Sequence, residues 1–158
     1  MSRSPIKSAF YLVFWVLLCF SAAAVGAQFT PGPWYDDLVK PAWTPPGWVF
    51  APVWTTLYLL MAVSAWLVTL HGNWHQRRLP LAVFSLQLAF NAAWSWLFFG
   101  LQRPSWALVD IIVLWLLVGV TVVLFFKTRR AAGILLLPYW AWLTLATALN
   151  AEIWRLNG

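Results

Sequence analysis

Charge is scarce in this chain, and acidic charge is almost missing. Lysine, arginine, aspartate and glutamate make up 9% of the 158 residues, and the acids number four: Asp36, Asp37, Asp110 and Glu152. A soluble domain carries about 25% charged residues, so this chain could not clothe a water-facing surface. Cysteine is limited to Cys19, which excludes an intramolecular disulfide and a cysteine metal cluster. There is no glycine-rich phosphate loop, no HExxH and no G-x-S-x-G. No cluster of histidine, cysteine and carboxylate offers an acid–base or nucleophilic site. What is present is apolar: 63% hydrophobic residues, 14 tryptophans and a mean hydropathy of +0.76. The chain is read as an integral, multi-pass membrane protein. Its net charge of +6 would suggest nucleic acid in a soluble protein. Here the cations sit in short connectors, where they orient spans in a bilayer, so no nucleic-acid partner is expected.

Taken in order, the pattern predicts an all-α membrane protein: a bundle of five transmembrane helices at about 9–28, 48–70, 80–101, 105–126 and 132–155 in a single domain. A basic start followed by an apolar run and small residues also resembles a signal peptide. The uncharged run from Phe10 to Gln28 is long enough to span, whereas signal cores run about 7–15 residues, and it is read as the first helix. A long aromatic loop follows, WYDDLVKPAWTPPGWVFAPVW, from Trp34 to Trp54. Pro41, Pro45 and Pro46 keep a regular helix out of its middle. Its indoles need apolar cover, which suits either a flap over the helices or an anchor belt at the headgroups.

In the second span, Trp54, Tyr58 and Met61 share one helical face. His71 and His75 have the i, i+4 spacing of a metal pair, but Gly72 and Asn73 break the helix between them and no third ligand is near, so no metal site is expected. The third span carries Gln87, Asn91 and Ser95 in one stripe, which lipid cannot satisfy. The stripe serves either helix–helix hydrogen bonding or a polar wall for a ligand. Ser105 is the expected N-cap of the fourth span, and Arg103 the expected partner of Asp110 across the turn. Trp142, Ala146 and Asn150 share a face of the fifth span, Tyr139 is a near neighbour of Trp142, and Glu152 and Arg155 mark the water boundary. Seven of the ten cations fall in the N-terminus and the 71–79 and 127–131 connectors. The positive-inside rule then places the N-terminus in the cytoplasm of a bacterial-type inner membrane, with the aromatic loop on the other side.

Four stretches in order, WYDDLVKPAWTPPGW, WTTLYLLM, QLAFNAAWSWLFFG and PYWAWLTLATALN, resemble the tryptophan-rich sensory protein and translocator protein (TspO/MBR) family, which includes the peripheral-type benzodiazepine receptors. The resemblance covers nearly the whole chain. It implies a ligand pocket under the loop between the first two spans, taking tetrapyrroles such as protoporphyrin IX and haem, and also sterols and benzodiazepine-type ligands. No cofactor is required. Carried over motif by motif, the ligand-binding residues are Trp43, Trp54, Tyr58, Asn91, Trp94, Tyr139, Trp142 and Ala146.

Some bacterial members are reported to degrade protoporphyrin in light, which would make Trp54 and Trp142 the candidate catalytic residues. The resemblance also implies a homodimer through the third span, with Ala82, Ala89 and Ala93 as small contacts. Where animal members carry a sterol-pattern tyrosine this chain has Ala151, although Arg155 is kept, so animal-like sterol affinity is expected to be weaker. Lys40 or Arg155 would meet porphyrin propionates. A receptor or sensor for tetrapyrroles, a light-dependent porphyrin-degrading enzyme and a transporter are the three function classes. No internal repeat of the kind common in transporters is present.

Overall fold

The computed structural model describes residues 4–158. Among them there is no strand, and five helices are long and apolar enough to cross a membrane. Helix α1 spans Pro5–Gly26, with Pro5 in its first turn, where a missing N–H costs nothing. Short α2, Pro33–Asp37, lies within the aromatic loop. Helix α3 spans Gly47–Leu70 and α4 spans Trp74–Ser95, the latter continuing into a π-helical turn, Trp96–Gly100. Helices α5, Pro104–Thr128, and α6, Arg130–Asn157, complete the chain.

Two starts differ from the sequence expectation. The third span begins at Trp74, not near Pro80. Gly72 takes φ +64°, a left-handed turn that suits glycine, and Asn73 then caps the helix. The Asn73 side chain accepts from the Gln76 amide, and the Gln76 side chain accepts from the Asn73 amide, both at 3.1 Å. This capping box sets the helix start in a polar segment that hydropathy alone reads as a connector. The fourth span begins at Pro104 with Arg103 as its cap residue, so Ser105 lies inside the first turn and is not the N-cap. Asp110 does not pair with Arg103. It is buried within α5, and its Oδ2 has no hydrogen-bond partner among the described residues.

The spans form a closed ring in the order α1, α3, α6, α5, α4. Outward side chains such as Leu17, Leu116 and Val120 are exposed and apolar, as lipid contact requires. Small residues let the helices approach closely at the end away from the aromatic loop: Ala62, Ala65, Ala132 and Gly133 are all buried. Met61, Phe84, Phe125 and Leu136 fill the space between them. Phe84 stacks on Phe125 with ring centres 5.6 Å apart. A second, smaller cluster of Phe98, Ala107, Leu149 and Ile153 sits under the loop and is covered by Trp34, Tyr35 and Leu38.

Candidate functional site

The loop packs on the end of the bundle as a lid. Tyr35 contacts Phe98 and Phe99 edge-on at 6.2 and 5.5 Å between ring centres, and Trp34 meets Phe98 at 5.9 Å. Its far end is tied to the end of α6: the Val39 amide donates to Asn157 Oδ1, and Asn157 Nδ2 donates to the Val39 carbonyl, both at 2.9 Å. Lys40 staples the lid from within. Its ammonium donates to the carbonyls of Tyr35, Leu38 and Asp36 at 2.5, 2.9 and 3.2 Å and lies 4.6 Å from the Tyr35 ring centre. Burial pushes the Tyr35 hydroxyl above its ordinary pKa, with a smaller push from Asp36. That phenol stays neutral at any physiological pH.

Beneath the lid lies a cavity of about 650 Å³, within the range of roughly 300–1,000 Å³ that small-molecule sites occupy. All five spans contribute to it, together with Phe29, Thr30, Pro31 and Tyr35 of the loop. Phe29 is held by Gly100, where an added Cβ would come within 2.8 Å of its ring. Trp54 and Trp142, from α3 and α6, both line the cavity. Trp54 lies 5.7 Å from Tyr58 and 6.2 Å from Tyr139 between ring centres, and Trp142 packs edge-on against Phe50 at 5.8 Å. Trp94 stacks on Phe98 at 4.9 Å and donates its indole N–H to Asn150 Oδ1 at 2.9 Å, while Asn150 Nδ2 donates to the Pro104 carbonyl.

The cavity's polar ground is narrow. Tyr58 and Asn91 face it, and both belong to a hydrogen-bond chain running into the bundle. The Tyr58 hydroxyl donates to Asn91 Oδ1 at 2.5 Å, Asn91 Nδ2 donates to the Tyr139 hydroxyl at 2.9 Å, and that hydroxyl donates to Gln87 Oε1 at 2.8 Å. Gln87 Nε2 ends the chain 3.8 Å from Met61 Sδ. Every link crosses between helices, α4 to α3 or α4 to α6, so the polar stripe of α4 serves both of its expected roles: it bonds helices together and supplies a polar wall.

Of the eight ligand-binding residues expected from sequence, Trp54, Tyr58, Asn91, Trp94, Trp142 and Ala146 line one cavity. Tyr139 is fully buried behind its wall, as a support for Asn91 rather than a surface for a guest. Trp43 is not brought there; its side chain is 48% exposed, on a turn after Pro41. Neither cation expected near the propionates is available: Lys40 is spent on lid carbonyls, and Arg155 holds Glu152 in a two-point ion pair with a closest approach of 2.5 Å. Among the described residues no lysine or arginine lines the cavity. Sequence reasoning missed Asn157 and Gly100, because their partners lie far away in the chain. His71 Nδ1 lies 2.9 Å from Arg129 Nη1.

A five-span membrane protein with an aromatic, lidded chamber is the class these features define. The comparison with known proteins sharpens the class to a family. The TspO/MBR family profile matches residues 15–155. The chain is 44% identical over 150 residues to a tryptophan-rich sensory protein of Cereibacter sphaeroides, covering 94% of this chain and 92% of that one. It is 44% identical over 140 residues to protein CrtK of Rhodobacter capsulatus, covering 88% of each, and 41% identical over 138 residues to the translocator protein of Homo sapiens, covering 84% of this chain and 82% of that one. The chain belongs to the TspO/MBR family.

Proposed function

We propose that this protein is a membrane receptor for tetrapyrroles, with protoporphyrin IX or haem held in the chamber beneath the lid. The observation that carries this reading is the shape and chemistry of that chamber: about 650 Å³, walled by Trp54 and Trp142 from separate helices, with one polar patch at Tyr58 and Asn91. A porphyrin is a flat apolar disc that aromatic walls cover by offset or edge contacts. The cavity has no cationic lining among the described residues, so the propionates would have to reach water past the lid rather than meet a buried charge. Sensory and translocator names among the relatives agree with a receptor or transport role in the membrane. Sterols are second candidates for the same apolar walls, with weaker expected affinity because Ala151 replaces the pattern tyrosine. Titration of protoporphyrin IX, haem and a sterol against tryptophan fluorescence in detergent tests the reading. Saturable one-site quenching by the tetrapyrroles supports it, and quenching that rises linearly without saturation rejects it.

A second reading, light-dependent porphyrin degradation, draws on one specific feature: two oxidisable indoles, Trp54 and Trp142, on the wall of one chamber. Illumination with and without oxygen, in the native chain and in Trp54→Phe and Trp142→Phe, separates it from plain photosensitisation. Equal bleaching rates in all three proteins would remove the enzyme reading while leaving the receptor intact.

A further inference from the structure

At the end of the bundle away from the lid, the first turns of α1 and α4 and the last turn of α3 enclose a second recess of about 850 Å³. Its walls are apolar and aromatic, with Phe14 and Leu81 deep along the helices, and two arginines, Arg77 and Arg78, at its polar rim. Arg77 is fixed in place. It donates from Nη1 to the Thr69 carbonyl, and its guanidinium lies 5.9 Å from the Trp74 ring centre. Its Nε is buried and has no hydrogen-bond partner among the described residues. A guanidinium held at the rim of an apolar recess, with no carboxylate of the described residues paired to it, suits an anionic acceptor from outside the chain.

The charge around it points the same way. Lys7, Arg77, Arg78, Lys127, Arg129 and Arg130 all fall at this end of the helices, whereas Asp36, Asp37, Asp110 and Glu152 all fall at the lid end. No carboxylate of the described chain is placed to neutralise the recess. Arg78 is exposed and makes no hydrogen bond within the described chain.

We infer that this recess is a binding site for one anionic glycerophospholipid, its phosphate on Arg77 and Arg78 and one acyl chain running down between α1 and α4 past Phe14 and Leu81. The combination of a basic rim and an apolar trough separates this occupant from the alternatives. A free anion would not need the trough, and a zwitterionic lipid would gain less from two arginines. The site is independent of the chamber beneath the lid, which lies at the other end of the bundle.

Native mass spectrometry of the full chain in detergent, with equimolar phosphatidylglycerol and phosphatidylcholine, tests the inference. One retained phosphatidylglycerol is expected, favoured over phosphatidylcholine by about tenfold. Arg78→Gln removes a cation that supports no internal bond and should lower that preference about fivefold. Ser85→Trp narrows the trough and should reduce retention of both lipids. Lys127→Gln with Arg130→Gln leaves the rim untouched and should change retention by less than about twofold. Protoporphyrin titration of each variant reports whether the bundle is intact. Equal retention of the two lipids would overturn the inference. So would a loss in the Lys127/Arg130 variant as large as that in Arg78→Gln, which would mean diffuse surface charge. Displacement of the lipid by millimolar inorganic phosphate would mean an ion site only, and retention by monomers but not dimers would mean that a second copy covers the recess. Either result contradicts the inference.

Discussion

The two ends of the bundle are built from the same five helices and do opposite things with them. Away from the lid, inside the ring of helices, Ala62, Ala65, Ala132 and Gly133 let helices close up, and Met61, Phe84 and Phe125 fill the interior, leaving the recess between α1 and α4 on the outer face. Toward the lid, Trp54, Trp94 and Trp142 lie along the walls, each braced by a ring or an amide, and the space between them stays open. Tryptophan content alone does not make the chamber. What makes it is that each large ring has a neighbour to lean on at the wall, so none collapses into the middle. The Tyr58–Asn91–Tyr139–Gln87 chain marks the boundary between the two regimes.

That contrast can be broken from either side. The largest expected effect is on the packed end. Phe84→Ala should cost about 3–5 kcal/mol of stability, because a fully buried ring in close-packed surroundings leaves a cavity. A thermal melt in detergent reads it, and a loss below about 1 kcal/mol would show that this end is not close-packed. Tyr139→Phe comes next. It removes the hydroxyl shared by Asn91 and Gln87 and strands two buried amides, at about 1–3 kcal/mol for each unsatisfied group. It should also lower porphyrin affinity through a loosened Asn91, which fluorescence titration follows.

Asn157→Leu removes both ties between α6 and the lid. At about 0.5–1.5 kcal/mol per hydrogen bond, lid opening should become several-fold easier. Stopped-flow displacement of bound porphyrin should then show faster release with little change in melting temperature. The smallest effect belongs to Trp43→Ala. Its ring is half-exposed and off the cavity wall, so affinity should change by less than about twofold. A tenfold loss there would mean that the lid has a second closed position in which Trp43 enters the chamber.

The number of spans, their order and most of the chamber wall were legible in the sequence. Hydropathy runs of spanning length and i, i+4 faces are local signals, and Trp54 with Tyr58, or Trp142 with Ala146, need only one helix to be recognised. The start of α4 was not legible from hydropathy, because a capping box and a polar first turn place helix where composition reads connector. The placement of Trp43 and Lys40 was not legible either: a loop's internal bonds decide which way its side chains face, and those bonds follow no period. Lys40 turns back onto Tyr35, Asp36 and Leu38 rather than toward a guest. Asn157 reaches its partner Val39 across 118 residues, a pairing that nothing in the local sequence marks.

The claim on which the rest depends is that a tetrapyrrole occupies the space between the Trp54 and Trp142 indoles. A protoporphyrin titration of the native chain beside Trp142→Ala, read by porphyrin absorbance so that loss of an indole does not alter the signal, addresses it most directly. One-site binding weakened by about tenfold or more in the variant, at an unchanged melting temperature, is the outcome expected when a wall ring in direct contact is lost. Equal affinity in the two proteins would place the guest elsewhere and contradict the account.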